Sequence, residues 1–213
     1  MEMTAAAAWL NSTFEGFDAG ITLAVHKLYE ACGGFMTPLM EIISLLGKGG
    51  IFLILLSLVL TFLKPSRRLG TAMILGLAIG AIAVNLWLKV VIARPRPYAD
   101  LEGVFYPLWQ MLGSHVESDF SFPSGHTNAA FAAMIPVFIL CDKKWSWLAL
   151  VFGVLMGISR IYLVVHFPSD VLGGMITGTI AGLLGALIAT RIPKASKWFA
   201  WDLRKPRVKG AHE

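Results

Sequence analysis

From Ile51 onward the chain is little more than apolar runs broken by short polar hinges, and that pattern leaves few folds open. A backbone carried through hydrocarbon must satisfy its own N–H and C=O groups, which a helix does within one segment. Candidate spans are 50–63, 69–91, 126–140, 145–164 and 170–192. Several are near the short end of the roughly 17–25 residues that cross a bilayer core, so thinning or extension into flanking polar residues is implied. With 56% hydrophobic residues and a mean hydropathy of +0.69, 213 residues do not supply the polar surface that a soluble domain needs. An all-α, polytopic membrane bundle of five to six transmembrane helices is expected, with its core at 48–192, an amphipathic N-terminal region at 1–47 and a basic aromatic tail at 193–213.

The formal charge of +5 is a property of that tail. Residues 191–213 hold seven Lys/Arg and two acids, interleaved with Trp198, Phe199 and Trp201, as expected of a segment on an anionic leaflet rather than on nucleic acid. Lys64, Arg67 and Arg68, then Lys143 and Lys144, then Arg191 and Lys194 fall on one side by alternation of the spans. The positive-inside rule makes that side the cytoplasm and puts the C-terminus there. The hinges at 89–125 and 165–169 then face outward, and the longer one is expected to be solvated, with Ser121 open to reagents from outside.

Region 14–46 carries an apolar stripe, Phe17, Ile21, Val25 and Leu28, opposite His26, Lys27 and Glu30, which suits either an interfacial helix or a sixth span. Gly174, Gly178 and Gly182, like Gly76 and Gly80, recur every fourth residue and permit close helix approach. Pro136 reads as a kink, and Asn85 as an interhelical hydrogen bond or a support for Lys89 one turn later. Cys32 and Cys141 have no metal-ligand spacing and read as packing residues.

Ionisable residues concentrate at one face of the spans: Lys89, Arg94, Arg96, His126, Arg160, His166 and Asp170. Taken singly, each cation there reads as a snorkelling anchor. They fall, however, in three ordered segments: K-V-V-I-A-R-P-R-P at Lys89–Pro97, P-S-G-H at Pro123–His126, and S-R-I-Y-L-V-V-H-F-P-S-D at Ser159–Asp170. Together these resemble the type 2 phosphatidic acid phosphatase family, matching every fixed position of its three motifs over about 69–192. Arg94 is outside those positions and is assigned no more than an electrostatic contribution.

The residues support that chemistry on their own terms. Phosphoryl transfer needs cations for the equatorial oxygens, an in-line nucleophile and an acid for the leaving group. Lys89, Arg96 and Arg160 can supply the cations, while Ser124 and Gly125 precede a helix whose N-terminal N–H groups suit an anion. Asp170 follows His166 by four residues and can orient its imidazole. The resemblance implies that His166 is the nucleophile of a phosphohistidine intermediate and His126 the acid and base. No carboxylate cluster is visible for a metal, so no cofactor is expected.

A site at span ends favours a lipid phosphate, presented laterally from the bilayer. Phosphatidic acid, phosphatidylglycerophosphate, undecaprenyl diphosphate and lipid A phosphates are the substrate classes implied, with undecaprenyl diphosphate first and a bacterial inner membrane as the expected location. Vanadium haloperoxidase chemistry shares the superfamily, but the spans argue against it. A transporter or lipid-binding scaffold is the non-catalytic alternative; it calls for ionisable groups deep within the spans, and here they gather at one face.

Overall fold

The structure, a computed structural model, describes residues 3–192; the tail read at 193–213 lies outside the described residues. Helix α1 spans Ala5–Ala31, α2 Thr37–Gly47, α3 Ile51–Phe62 and α4 Arg67–Ala81. A π-helical stretch, Ile82–Leu88, carries α4 into α5, Lys89–Ile92. Then come α6 at Phe105–Met111, α7 at Gly125–Leu140, α8 at Lys143–Tyr162 and α9 at Pro168–Arg191. The described residues contain no strand, and the all-α membrane bundle expected from the apolar runs is what forms.

Local chemistry sets the helix ends. Ser124 and Asp142 are N-caps, accepting from the N–H groups of Thr127 and Lys144. Pro168 opens α9, and the Asp170 carboxylate turns back to accept the Phe167 N–H at 2.9 Å. The first span reaches further than the reading from Gly50. Helix α2 precedes it, and Thr37–Phe62 forms one apolar run of 26 residues. Gly49 and Gly50, at φ 60° and 67°, make the bend between α2 and α3 in a region open to glycine, which is why the sequence pattern looked interrupted there.

Helix α9 lies between α4 and α7, and the glycine repeats lie along these contacts. A Cβ on Gly178 would sit 2.4 Å from the Asn128 carbonyl oxygen, and one on Gly76 would sit 2.5 Å from that of Ala132. Backbone at that range cannot give way as a flexible side chain does. On the other side of α9, Ile176, Ile180, Leu183 and Leu187 are exposed, a surface suited to lipid.

Helix α1 is turned opposite to a soluble amphipathic helix. Phe17 and Leu28 of its apolar stripe point outward, while Asp18, Thr22 and His26 are buried toward α8 and α9. Asp18 finds its partners there, accepting from Arg94 and from the Ser169 N–H at the start of α9. The helix ends sort as alternation requires, since Arg68 at the start of α4 donates to the Ile192 carbonyl at 3.0 Å while Lys89 and Phe167 lie at the other end.

If the α7–α9 contact sets the bundle, Gly178→Ala lowers the melting temperature in detergent, with overpacking costing about 1–3 kcal/mol. Gly16→Ala, where nothing lies within 4 Å of the new methyl, leaves it unchanged or slightly raised. Equal melting of the two variants would remove Gly178 from that role.

Candidate active site

The hinges at the α5, α7 and α9 ends are bonded to one another through backbone groups. The Ser121 N–H donates to the Arg94 carbonyl at 2.8 Å, and the Ser124 N–H to that of Asp170 at 3.0 Å. Arg96 Nη1 donates to the Val165 carbonyl at 2.8 Å, which ties the first motif to the third. Three stretches far apart in sequence therefore meet at one end of the bundle. Lys89, Arg96, Gly125, His126 and His166 line a single cavity of about 440 Å³.

His166 is 2% exposed, and each of its ring nitrogens faces a defined neighbour. Nε2 lies 3.0 Å from Arg96 Nη1, while Nδ1 lies 3.5 Å from Asp170 Oδ2 and 3.5 Å from Ser121 Oγ. A guanidinium can only donate, so Nε2 carries the lone pair and the proton sits on Nδ1, toward the carboxylate. Burial first, then the charges of Arg96, Arg160 and Lys89 and the neighbouring His126, hold the imidazole well below its usual pKa. It is a neutral base with Nε2 toward the cavity.

The cations are matched by carboxylates. Lys89 and Arg96 both pair with Asp119, and Arg96 Nε also donates to the Asp119 carbonyl at 3.0 Å. Arg160 pairs with Glu117 and donates to Ser44. Partial burial pushes the Asp119 carboxyl up, but the hydrogen bonds and charges of Lys89 and Arg96 outweigh this and keep it below the usual carboxylate value. The π-helical turn ahead of Lys89 adjusts the register of a continuous helix just where this side chain must enter the site.

Residues 67–194 match the PAP2 superfamily. The chain belongs to that family. It is 29% identical to an undecaprenyl-diphosphatase of Sulfolobus acidocaldarius over 74% of this chain and 73% of that one. With undecaprenyl-diphosphatase BcrC of Bacillus subtilis it shares 35% identity over 50% of this chain and 51% of that one. Its structure resembles that of a transmembrane PAP2-type phosphatidylglycerolphosphate phosphatase from Bacillus subtilis, with a TM-score of 0.68 and 27% identity over 89% of this chain and 93% of that one.

Within this PAP2 fold the motif residues are not all on the cavity wall. Ser124 is fully buried, its hydroxyl accepting from Thr127 Oγ1 at 3.0 Å, so it shapes the start of α7 instead of facing the cavity. The Gly125 and His126 N–H groups, which no helical carbonyl can satisfy at this end, are the ones left to meet an anion. Arg160 opens on an adjoining cavity of about 530 Å³, whose wall shares Glu117 and His126 with the first. Asn85 lines the main cavity one turn before Lys89.

Four residues differ from the sequence reading. Ser121 is wholly buried and bonded to Asp170, so it is no reporter of outside access; Val116, 76% exposed, is. Asp119 and Glu117 are ion-pair partners of the motif cations and not merely solvated loop residues. Arg94, 1% exposed, pairs with Asp170 at 2.6 Å and with Asp18 of α1 at 2.8 Å. The local sequence signal for this was the R-P-R-P repeat, whose two arginines are both structural donors.

If Asp119 holds the place of phosphate oxygens, Asp119→Asn frees Lys89 and Arg96. The inhibition constant of inorganic phosphate then falls several-fold in a phosphate-competition assay. An unchanged or weaker inhibition would show that the carboxylate does not compete with the anion.

Proposed function

We propose that the chain is an integral-membrane lipid phosphatase that cleaves the phosphate ester or diphosphate of a lipid through a phosphohistidine on His166, without a metal ion. The observation that carries this reading is the shape of the main cavity. Ile54, Ile74, Leu77 and Ala81 of α3 and α4 form an apolar wall that leads to Lys89, Arg96, His126 and His166. A lipid tail fits the first part and its phosphate the second.

Phosphate oxygens displace Asp119 from Lys89 and Arg96 and meet the N–H groups at the start of α7, with Arg160 adding charge from the adjoining cavity. Once Arg96 turns to an oxygen, His166 Nε2 is released to attack phosphorus. Asp170 holds the Nδ1 proton and stabilises the ring as it gains charge. The P–O bond to the leaving group breaks as His126, protonated once the charge of the bound phosphate offsets that of Lys89, Arg96 and Arg160, gives it a proton. His126 then takes a proton from water, the water oxygen attacks phosphorus, the P–N bond breaks and phosphate departs with Nε2 restored. Among the described residues no three His, Cys, Asp or Glu side chains are grouped to hold a metal ion, and the cations supply the charge such an ion would bring.

Undecaprenyl diphosphate is the first substrate choice and phosphatidylglycerophosphate the second, in keeping with the names of the relatives. The site faces outward from a bacterial inner membrane, because Arg68, Lys143 and Lys144 mark the opposite end of the bundle as cytoplasmic.

A phosphate-release panel over undecaprenyl diphosphate, phosphatidylglycerophosphate, phosphatidic acid and lipid A, in one detergent with excess EDTA, tests the reading. Undecaprenyl diphosphate is expected to give the highest kcat/KM, EDTA to leave it intact, and His166→Ala to abolish it. Activity restored only by magnesium, or ordinary turnover in His166→Ala, would contradict the mechanism.

A further inference from the structure

We infer that Asp18 and Arg94 are positioning residues for the nucleophile: Asp18 fixes Arg94, and Arg94 holds the carboxylate that orients His166. This rests on the reading of His166 as nucleophile and adds to it a device from α1, since Asp18 lies outside the segment 67–194 that matches the family.

The geometry is a chain of buried bonds. Arg94 Nη1 donates to Asp170 Oδ1 at 2.6 Å and to Ser169 Oγ at 2.7 Å, Nη2 donates to Asp18 Oδ2 at 2.8 Å, and Nε to Asn11 Oδ1 at 2.8 Å. Asp18 closes the ring by accepting the Ser169 N–H at 2.8 Å and the Ser169 hydroxyl at 2.7 Å. Arg94, Asp18 and Asp170 are 1%, 2% and 0% exposed. The guanidinium also lies 4.0 Å from the ring centre of Phe167, the residue after His166. With Oδ1 engaged by Arg94, Asp170 Oδ2 takes the Phe167 N–H and the Ser121 hydroxyl and faces His166 Nδ1.

Charge explains why a second carboxylate is needed. An arginine that cannot give up its proton would, alone against Asp170, draw that carboxylate's charge away from the imidazole. Asp18 shares the guanidinium, so Asp170 keeps the negative character that steadies the Nδ1 proton as Nε2 forms its bond. Neither residue reaches the phosphate, so their loss should slow turnover and leave substrate binding alone.

The test uses the full chain in detergent and the lipid phosphate of the panel that the wild type turns over fastest. Asp18→Asn is expected to lower kcat by about 10–100-fold with KM changed by less than about twofold, as for a slightly misplaced reacting group. Because Asp18 acts through Arg94, adding Asp18→Asn to Arg94→Gln should cost little beyond Arg94→Gln alone. A folded Asp18→Asn protein with wild-type kcat, a loss carried by KM, or losses that multiply in the double variant would each overturn the inference. Where Asp18→Asn does not fold, Ser169→Ala keeps every charge and removes one link; a kcat loss of about fivefold supports the chain of bonds, and wild-type kcat overturns it. His166→Ala run beside them separates the two levels. If it is inert while Asp18→Asn is normal, only the positioning role fails; if it is active, the nucleophile assignment fails.

Discussion

Several buried cations at one end of an apolar bundle must be matched by anions, and the rest of the site is arranged around that need. Removing an ion from water costs several kcal/mol even after relaxation, so an unmatched Lys89, Arg96 or Arg160 would not stay in place. In the free protein Asp119 and Glu117 supply the match from the hinge before α7. In the proposed mechanism a phosphate takes their place, because it offers more oxygens to the same donors. The carboxylates thus keep the cradle assembled without filling it with a group that cannot leave.

The proposed nucleophile, His166, depends on the same balance from the other side. His166 sits between an arginine that only donates and a carboxylate that only accepts, which selects one tautomer and points one lone pair at the cavity. The carboxylate is itself held by Arg94, and Arg94 by α1. Close packing of α9 on α7 and α4 keeps the backbone under both histidines from shifting, so glycines in the membrane help to set geometry at its surface. Fold and site are continuous here: a methyl at Gly178 would press on Asn128, one turn from Ser124.

Much of this was legible in the sequence, because spans and motifs are local patterns. Helices α4, α7, α8 and α9 follow the apolar runs closely, and the three motif segments do meet. What escaped was pairing across distance. Arg94 is 76 residues from each of its two carboxylates, and no spacing rule links Asp18 to a hinge so far along the chain. The stripe on α1 was visible but not its direction, because Asp18 is drawn inward by Arg94 and Ser169, partners that lie far along the chain. Asp119 read as solvated loop because a carboxylate in a polar hinge has no local mark of the cations it faces, and Ser121 read as open for the same reason.

The central claim is that His166 takes the phosphoryl group from the substrate. Its most direct test is acid-free quenching of the enzyme during turnover of lipid substrate labelled in its terminal phosphate, followed by peptide mapping. The account predicts an acid-labile, base-stable phosphate on the peptide that holds His166, absent when that residue is alanine. Label on any other residue, or none under conditions where it should accumulate, would contradict it.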